Sequence, residues 1–193
     1  VKRIGLFGGT FDPVHIGHLL VAKAAHEELT LDRLYFIPAA QSPFKPGSNP
    51  APAAGRLRML RLALAGHSEY EVDSQEIERG GISYSIDTIR AYARRFPNAQ
   101  LFYLIGTDHL ATLPKWRDAD TLAQLAEFIV IPRPGEAPMP APPPFRVRHL
   151  KGWPLQVSSS VIRERVQAGL TVDHLLPFGV SEILRAENWY RQG

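Results

Sequence analysis

The chain has 193 residues, 45% of them hydrophobic and 21% charged, with a formal net charge of +3. That length suits one domain, residues 1–193, burying roughly 70% of its unfolded surface, and the balance excludes a disordered tail or a fibre. The absence of cysteine excludes a disulfide scaffold, and the absence of any apolar stretch near 18 residues argues against a membrane span or a signal peptide. These features fit a cytoplasmic protein. The small, dispersed basic excess suits phosphorylated small molecules rather than nucleic acid or a membrane surface, and leaves homo-oligomer formation open.

Hydrophobic periodicity alternates along the chain. Strands are expected at Arg3–Phe7, Arg33–Ile37, Glu71–Ile77, Gln100–Ile105, Glu127–Ile131 and Phe145–Leu150. Helices are expected at Gly17–Leu29, Gly55–Ala65, Ser85–Arg95, Thr121–Ala126, Ser159–Ala168 and Val180–Glu187. This order predicts an α/β, doubly wound, Rossmann-like parallel sheet. Strand cores such as Leu101 to Ile105 are unbroken apolar runs, as expected where helices cover both faces. Residues 132–144 hold seven of the 17 prolines and read as an exposed, semi-extended loop carrying little chemistry.

The most informative segment is the first. An apolar strand runs into Gly8-Gly9-Thr10-Phe11-Asp12-Pro13-Val14-His15-Ile16-Gly17-His18, then into an amphipathic helix. A strand feeding a helix through a glycine turn aims free backbone N–H groups and the positive helix end at one place, which suits a phosphate. His15 and His18 add side-chain donors. The segment carries neither the G-x-G-x-x-G of dinucleotide folds nor the closing Gly-Lys-Ser/Thr of a P-loop. The histidines are not in H-E-x-x-H spacing, so a zinc site is a poor reading.

Further along, Lys45 follows Pro43-Phe44 in a proline-braced loop at the end of the second strand, where a doubly wound sheet lines its ligand crevice. A solvated lysine is the plain alternative. The Gly106-Thr107-Asp108 turn follows the fourth strand. There a glycine permits close approach to a ligand, and the carboxylate either accepts from ribose hydroxyls or caps a helix. Trp116 sits among polar residues, so it is expected to be partly exposed and able to stack on a flat ring. Ser158, Ser159 and Ser160 read as a helix N-cap. Arg163, expected in the first turn, opposes the helix dipole unless a polyphosphate binds there.

These motifs carry a resemblance. Gly9 to His18 resembles the G-x-F-D-x-x-H-x-G-H signature of the nucleotidylyltransferase superfamily. Phe36-Ile37-Pro38 with Lys45, Ser83 to Thr88, Ile105 to Asp108, Leu113 to Trp116, Val157 to Arg163 and Leu175-Leu176-Pro177 are similar to segments of the bacterial nicotinate-nucleotide adenylyltransferases. The resemblance implies a nucleotidylyltransferase-type sheet. It implies transfer of the adenylyl group of ATP to nicotinate mononucleotide, with Mg²⁺ travelling on the phosphates and no protein metal site.

As the resemblance implies, His15, His18, Lys45 and Arg163 are catalytic. ATP would meet Gly8, Gly9, Thr10, Phe11, His18, Gly106, Asp108, Ser159, Ser160 and Arg163. The nicotinate nucleotide would meet Thr10, Lys45, Tyr84, Ser85, Trp116 and Arg117. Four positions depart from the family's pattern: Phe44 replaces a histidine, Ser85 and Ser160 replace threonines, and Arg117 replaces an aromatic residue. Another adenylyl or cytidylyl transfer, to phosphopantetheine or nicotinamide mononucleotide, and a non-catalytic ATP-sensing module are the alternatives.

Overall fold

A computed structural model describes residues 1–44, 47 and 49–190. Six strands form one sheet: β1 (Arg3–Gly9), β2 (Arg33–Pro38), β3 (Tyr70–Val72), β4 (Gln100–Gly106), β5 (Glu127–Ile131) and β6 (Val147–His149). Their spatial order is β3-β2-β1-β4-β5-β6, and every pairing is parallel. This is the doubly wound order, whose direction reverses between β1 and β4. Ligands of such sheets bind at the carboxyl ends of the strands at that reversal. Both expected glycine turns, after Gly9 and at Gly106, lie there.

The apolar strands divide by parity, because side chains alternate across a sheet. Phe7, Leu34, Phe36, Phe102, Leu104 and Ile129 face one core. Ile4, Leu6, Tyr35, Ile37, Leu101, Tyr103, Ile105, Phe128 and Val130 face the other. The first core is covered by α1 (Ile16–Glu28), α2 (Ala53–Ala63), α7 (Ser159–Gln167) and α8 (Val180–Glu187). The second is covered by α4 (Ser85–Arg95) and α6 (Ala119–Leu125).

Most expected elements form within a residue or two of their limits. The strand expected at Glu71–Ile77 is the main exception: β3 stops at Val72, and Gln75–Arg79 is a short helix, α3. The Asp73 carboxylate accepts the Gln75 N–H at 2.9 Å, an aspartate turn that ends the strand and starts the helix. Likewise, Thr107–Leu110 is helical, α5, with Gly106 rather than Asp108 at its cap. The strand at Phe145–Leu150 shortens to Val147–His149. Residues 132–144 form the expected exposed loop, though its first residues do reach the functional site.

One polar group is buried in this frame far more deeply than its sequence surroundings suggest. Arg56 shares α2 with the exposed Arg58 and Arg61, yet its exposure is 2%. Its guanidinium donates to the carbonyls of Thr10 (2.9 Å), Ala39 (2.8 Å) and Ala51 (3.1 Å). The nearby buried Asp12 carboxylate favours its charge against the cost of desolvation. Arg56 thereby ties the β1–α1 loop to the end of β2 and the start of α2. Removing a buried cation leaves three carbonyls without their donor and Asp12 without a neighbouring positive charge, so Arg56→Ala should lower stability by about 3–5 kcal/mol in a denaturant titration. Arg58→Ala, on the exposed face, should stay within about 0.5 kcal/mol of wild type.

Candidate active site

The β1–α1 loop builds the floor of the site. Gly8 has no room for a side chain, because a Cβ would lie 2.9 Å from the Tyr103 hydroxyl. Over Gly9 lies the Phe11 ring, which would be 3.1 Å from a Cβ there. Phe11 adopts a left-handed backbone (φ 49°), which sends its ring into the core against Phe7, Phe36 and His18. Its side chain is therefore a packing group. Only its backbone could meet ATP.

His15 caps α1, and Gly17 and His18 are its second and third residues. The two imidazoles stack with centroids 3.7 Å apart. The His15 N–H donates to His18 Nδ1 at 3.1 Å, and the His18 N–H donates to the His15 carbonyl at 2.9 Å. A backbone N–H needs an acceptor, so in the neutral ring His18 carries its proton on Nε2. Gly17 must lack a side chain: a Cβ would lie 2.8 Å from Val157 Cγ1 and 3.0 Å from the His15 ring. The spacing His-x-Gly-His thus lets an imidazole fold back over the helix start.

His15 is buried, and its Nδ1 has no hydrogen-bond partner among the described residues. Burial pushes its pKa down to about 4, so it is neutral at physiological pH.

The start of α7 abuts this loop. Ser158 caps the helix, its hydroxyl accepting from Val161 N–H at 3.2 Å. The Ser159 hydroxyl donates to the Pro13 carbonyl at 2.9 Å. Arg163 stands at the fifth helical position, just beyond the first turn where the sequence had suggested it. Its guanidinium reaches back, donating to the Asp12 carbonyl (2.7 Å) and to the Ser160 hydroxyl (3.2 Å). The positive ends of α1 and α7 therefore lie side by side, with His15, His18, Ser159, Ser160 and Arg163 gathered about them.

His15, His18 and Ser158 to Ser160 border a cavity of about 760 Å³ whose wall also includes Gly106, Arg133 and Trp153. On its far side the Asp108 carboxylate lies over Gly106, where a Cβ would be 2.5 Å from Oδ1. Asp108 also accepts from Arg133 at 3.0 Å. Gly106 and Asp108 are thus together, as expected, and Arg133, from the proline-rich loop, joins them.

A second, smaller cavity of about 170 Å³ opens on the other side of β1. Pro43, Phe44, Tyr84, Ser85, Lys115, Trp116 and Arg117 line it. Trp116 is half-buried, its indole N–H donating to Thr112 at 3.2 Å. Arg117 lies over the Tyr84 ring at 4.8 Å, so one guanidinium marks the rim. Ser85 opens α4, its hydroxyl 3.0 Å from that of Tyr103. Phe44 packs on His109 (4.4 Å) and Trp116 (5.2 Å) and so builds a wall of this cavity. Lys45, expected to contact a phosphate, lies outside the described residues.

The residues from 6 to 165 match the Cytidylyltransferase-like family. The chain is 41% identical over 192 residues to a protein of Opitutus terrae named "Probable nicotinate-nucleotide adenylyltransferase", covering 98% of both. It is 39% identical to one of the same name from Geobacillus kaustophilus, covering 97% of this chain and 86% of that protein. It belongs to the nicotinate-nucleotide adenylyltransferase family. The fold is that of the Plasmodium falciparum nicotinic acid mononucleotide adenylyltransferase complexed with NaAD, with a TM-score of 0.78 at 16% identity and 98% coverage of each chain. The same enzyme complexed with APC gives 0.79, also at 16% identity and 98% coverage.

Sequence reasoning missed several residues that shape the site. Arg56 gave no signal of its own within the small basic excess, and Asp12 was read only as part of the signature. Arg133 was hidden at the start of a loop expected to be inert. Tyr190 sits at the opposite end of the chain, and no local signal links it to Asp12.

The depressed pKa of His15 gives a pH test. Its ordinary value is 6.5 and its folded value about 4, so in that window the unfolded chain takes up a proton that the folded chain refuses. Stability from this group is complete above pH 6.5 and falls as pH drops toward 4, by about 3 kcal/mol in total. Urea titrations from pH 7.5 to 4 should show His15→Asn losing less stability across that window than wild type. Parallel curves would remove the burial assignment.

Proposed function

We propose that this chain is a single-domain cytoplasmic enzyme that transfers the adenylyl group of ATP to nicotinate mononucleotide, giving deamido-NAD and pyrophosphate. The observation that carries this reading is the convergence of two helix N-termini, two imidazoles and two serines at a 760 Å³ cavity, with Arg163 donating to one of those serines. Such an array suits a polyphosphate. The smaller cavity, with Trp116 and the Arg117 guanidinium, suits a flat ring bearing a negative charge.

In this reading the 5′-phosphate of the nicotinate nucleotide attacks the α-phosphorus of ATP, and pyrophosphate leaves. No side chain needs to become covalently attached. The protein contributes positioning and neutralisation of charge on the phosphoryl oxygens. His18, with Nδ1 held by the His15 backbone, offers Nε2–H to the α-phosphate. Neutral His15 stacks beneath it and fixes the ring. Ser159, Ser160 and Arg163 hold the departing pyrophosphate. Gly8, Gly9 and Thr10 supply backbone at the reacting phosphates, with Thr10 also close to the nicotinate nucleotide. Lys45 would meet a phosphate. Gly106 and Asp108 take the adenosine half. Trp116 stacks on the pyridine, while Tyr84, Ser85 and Arg117 border the carboxylate.

The cradle fits a magnesium-bound polyphosphate. Its groups are hydrogen-bond donors, and no group of three acidic or histidine side chains among the described residues could hold a metal. Mg²⁺ would therefore sit on phosphate oxygens, where it neutralises charge.

His18→Ala should lower turnover by on the order of 10²–10³, the usual loss for one charge-stabilising donor, with little change in melting temperature. Pyrophosphate release at saturating substrates measures this; turnover within threefold of wild type would remove the role. Trp116→Ala should cost about 1–3 kcal/mol in binding the nicotinate nucleotide while ATP affinity alone barely moves. Wild type should prefer the acid to the amide, because the amide brings N–H donors where the site offers donors and a cation. Equal kcat/KM for the two would sink the nicotinate assignment.

A further inference from the structure

Asp12 is buried beneath the polyphosphate cradle, and Tyr190 reaches it from the far end of the chain. We infer that Tyr190 is a positioning residue: by donating its hydroxyl to Asp12 it keeps that carboxylate from capturing Arg163, and so holds the guanidinium ready for the triphosphate of ATP. This rests on the reading of Arg163 as a polyphosphate ligand.

Asp12 divides its two oxygens. Oδ1 accepts from the Ala51 N–H at 3.0 Å and from the Tyr190 hydroxyl. Oδ2 stands 3.9 Å from Arg163 Nη1, well beyond the 2.7–2.9 Å of a charge-assisted hydrogen bond. Arg163 instead donates to the Asp12 carbonyl and to Ser160, which holds it beside a serine that lines the cavity. A carboxylate that lost one of its two Oδ1 donors would gain by closing on the nearest cation. Arg163 is that partner, because Arg56 already donates to three backbone carbonyls.

The chain makes a visible effort to bring Tyr190 there. Trp189 packs on α2 over Gly55, where a Cβ would lie 2.0 Å from the indole. Arg58 on α2 pairs with Glu187 at 3.4 Å. Asn188 and Tyr190 both take left-handed backbone, φ 53° and 69°. A bulky residue accepts such a backbone only when its surroundings over-determine it. Burial keeps the Tyr190 phenol protonated, so it remains a donor.

The test is Tyr190→Phe in the full-length chain, which keeps the ring and removes only the hydroxyl. Titration calorimetry with Mg-ATP alone should give a three- to tenfold weaker Kd, and KM for ATP should rise in parallel. KM for nicotinate mononucleotide and the melting temperature, within about 2 °C, should not move. Asp12→Asn in the Tyr190→Phe background removes the charge that captures Arg163, so ATP affinity should return toward wild type. The inference fails if Tyr190→Phe binds ATP within twofold of wild type. It also fails if both KM values rise together with a fall in melting temperature, the pattern of plain structural damage. A folded double variant no better than Tyr190→Phe overturns it as well; if the double variant does not fold, the single variant decides. A wild type that binds ATP but releases no pyrophosphate would defeat the adenylyl-transfer reading and leave the binding comparison intact. A wild type that binds no ATP would defeat both.

Discussion

One buried carboxylate holds together the part of this fold that chemistry would use. Asp12 acts on two guanidinium groups, that of Arg56, which is locked into the backbone, and that of Arg163, which donates to Ser160. The loop after β1 is therefore attached to α2, α7 and the chain's far end through one residue. Two cations share one anion, so the region keeps a positive excess. The N-termini of α1 and α7 each add about half a positive charge to it. Placing two positive helix ends and an arginine together is unfavourable in isolation. A buried anion underneath offsets part of that cost, and an anionic ligand above would offset the rest.

The same arrangement lets a neutral His15 order its neighbour. His15 is buried and neutral, and its backbone N–H fixes the orientation of the His18 ring. A donor held by backbone and by a stacked ring need not reorganise as charge develops on a phosphoryl oxygen, which is the condition for strong electrostatic stabilisation. Gly17 makes the stack possible by leaving space against both His15 and Val157. Val157 lies just before α7, so one missing side chain registers the starts of the two helices against each other.

Local patterns were legible in the sequence where one element determines them. The parallel sheet followed from unbroken apolar strands alternating with helical segments, and Ser158 was readable as a cap. The strand at Glu71–Ile77 ran too far because Val72 is followed by four polar residues before Ile77, and the turn-forming Asp73 carried the stronger signal. What stayed illegible depends on pairs distant in sequence. Arg56 reads as a surface residue because its acceptors are backbone carbonyls, which have no sequence signature. Tyr190 meets Asp12 across nearly the whole chain. Arg163 was placed by its motif, but its geometry was not, since its link to the Asp12 carbonyl depends on how α7 docks against α1.

The two cavities also constrain each other through β1. Gly8 leaves room for the Tyr103 hydroxyl, which meets the Ser85 hydroxyl at the start of α4 on the side of the smaller cavity. The buried Glu76 carboxyl, pushed up by desolvation, accepts from the Thr88 hydroxyl on the same helix. The Ser83 hydroxyl, just before it, accepts from the Ala40 N–H at 3.0 Å. The segment Ser83 to Ser85 is thus fixed to β2, α3 and β4 at once, without depending on a ligand. On the opposite side of β1, the larger cavity is built on the β1–α1 loop. A phosphate on the substrate in the smaller cavity and the triphosphate in the larger one could meet only over the carboxyl end of β1, where Gly8 and Gly9 expose backbone alone. Displacement at phosphorus needs the attacking and leaving oxygens roughly in line. In the proposed reading, a strand end flanked by two separately fixed pockets would supply that alignment before either substrate arrives.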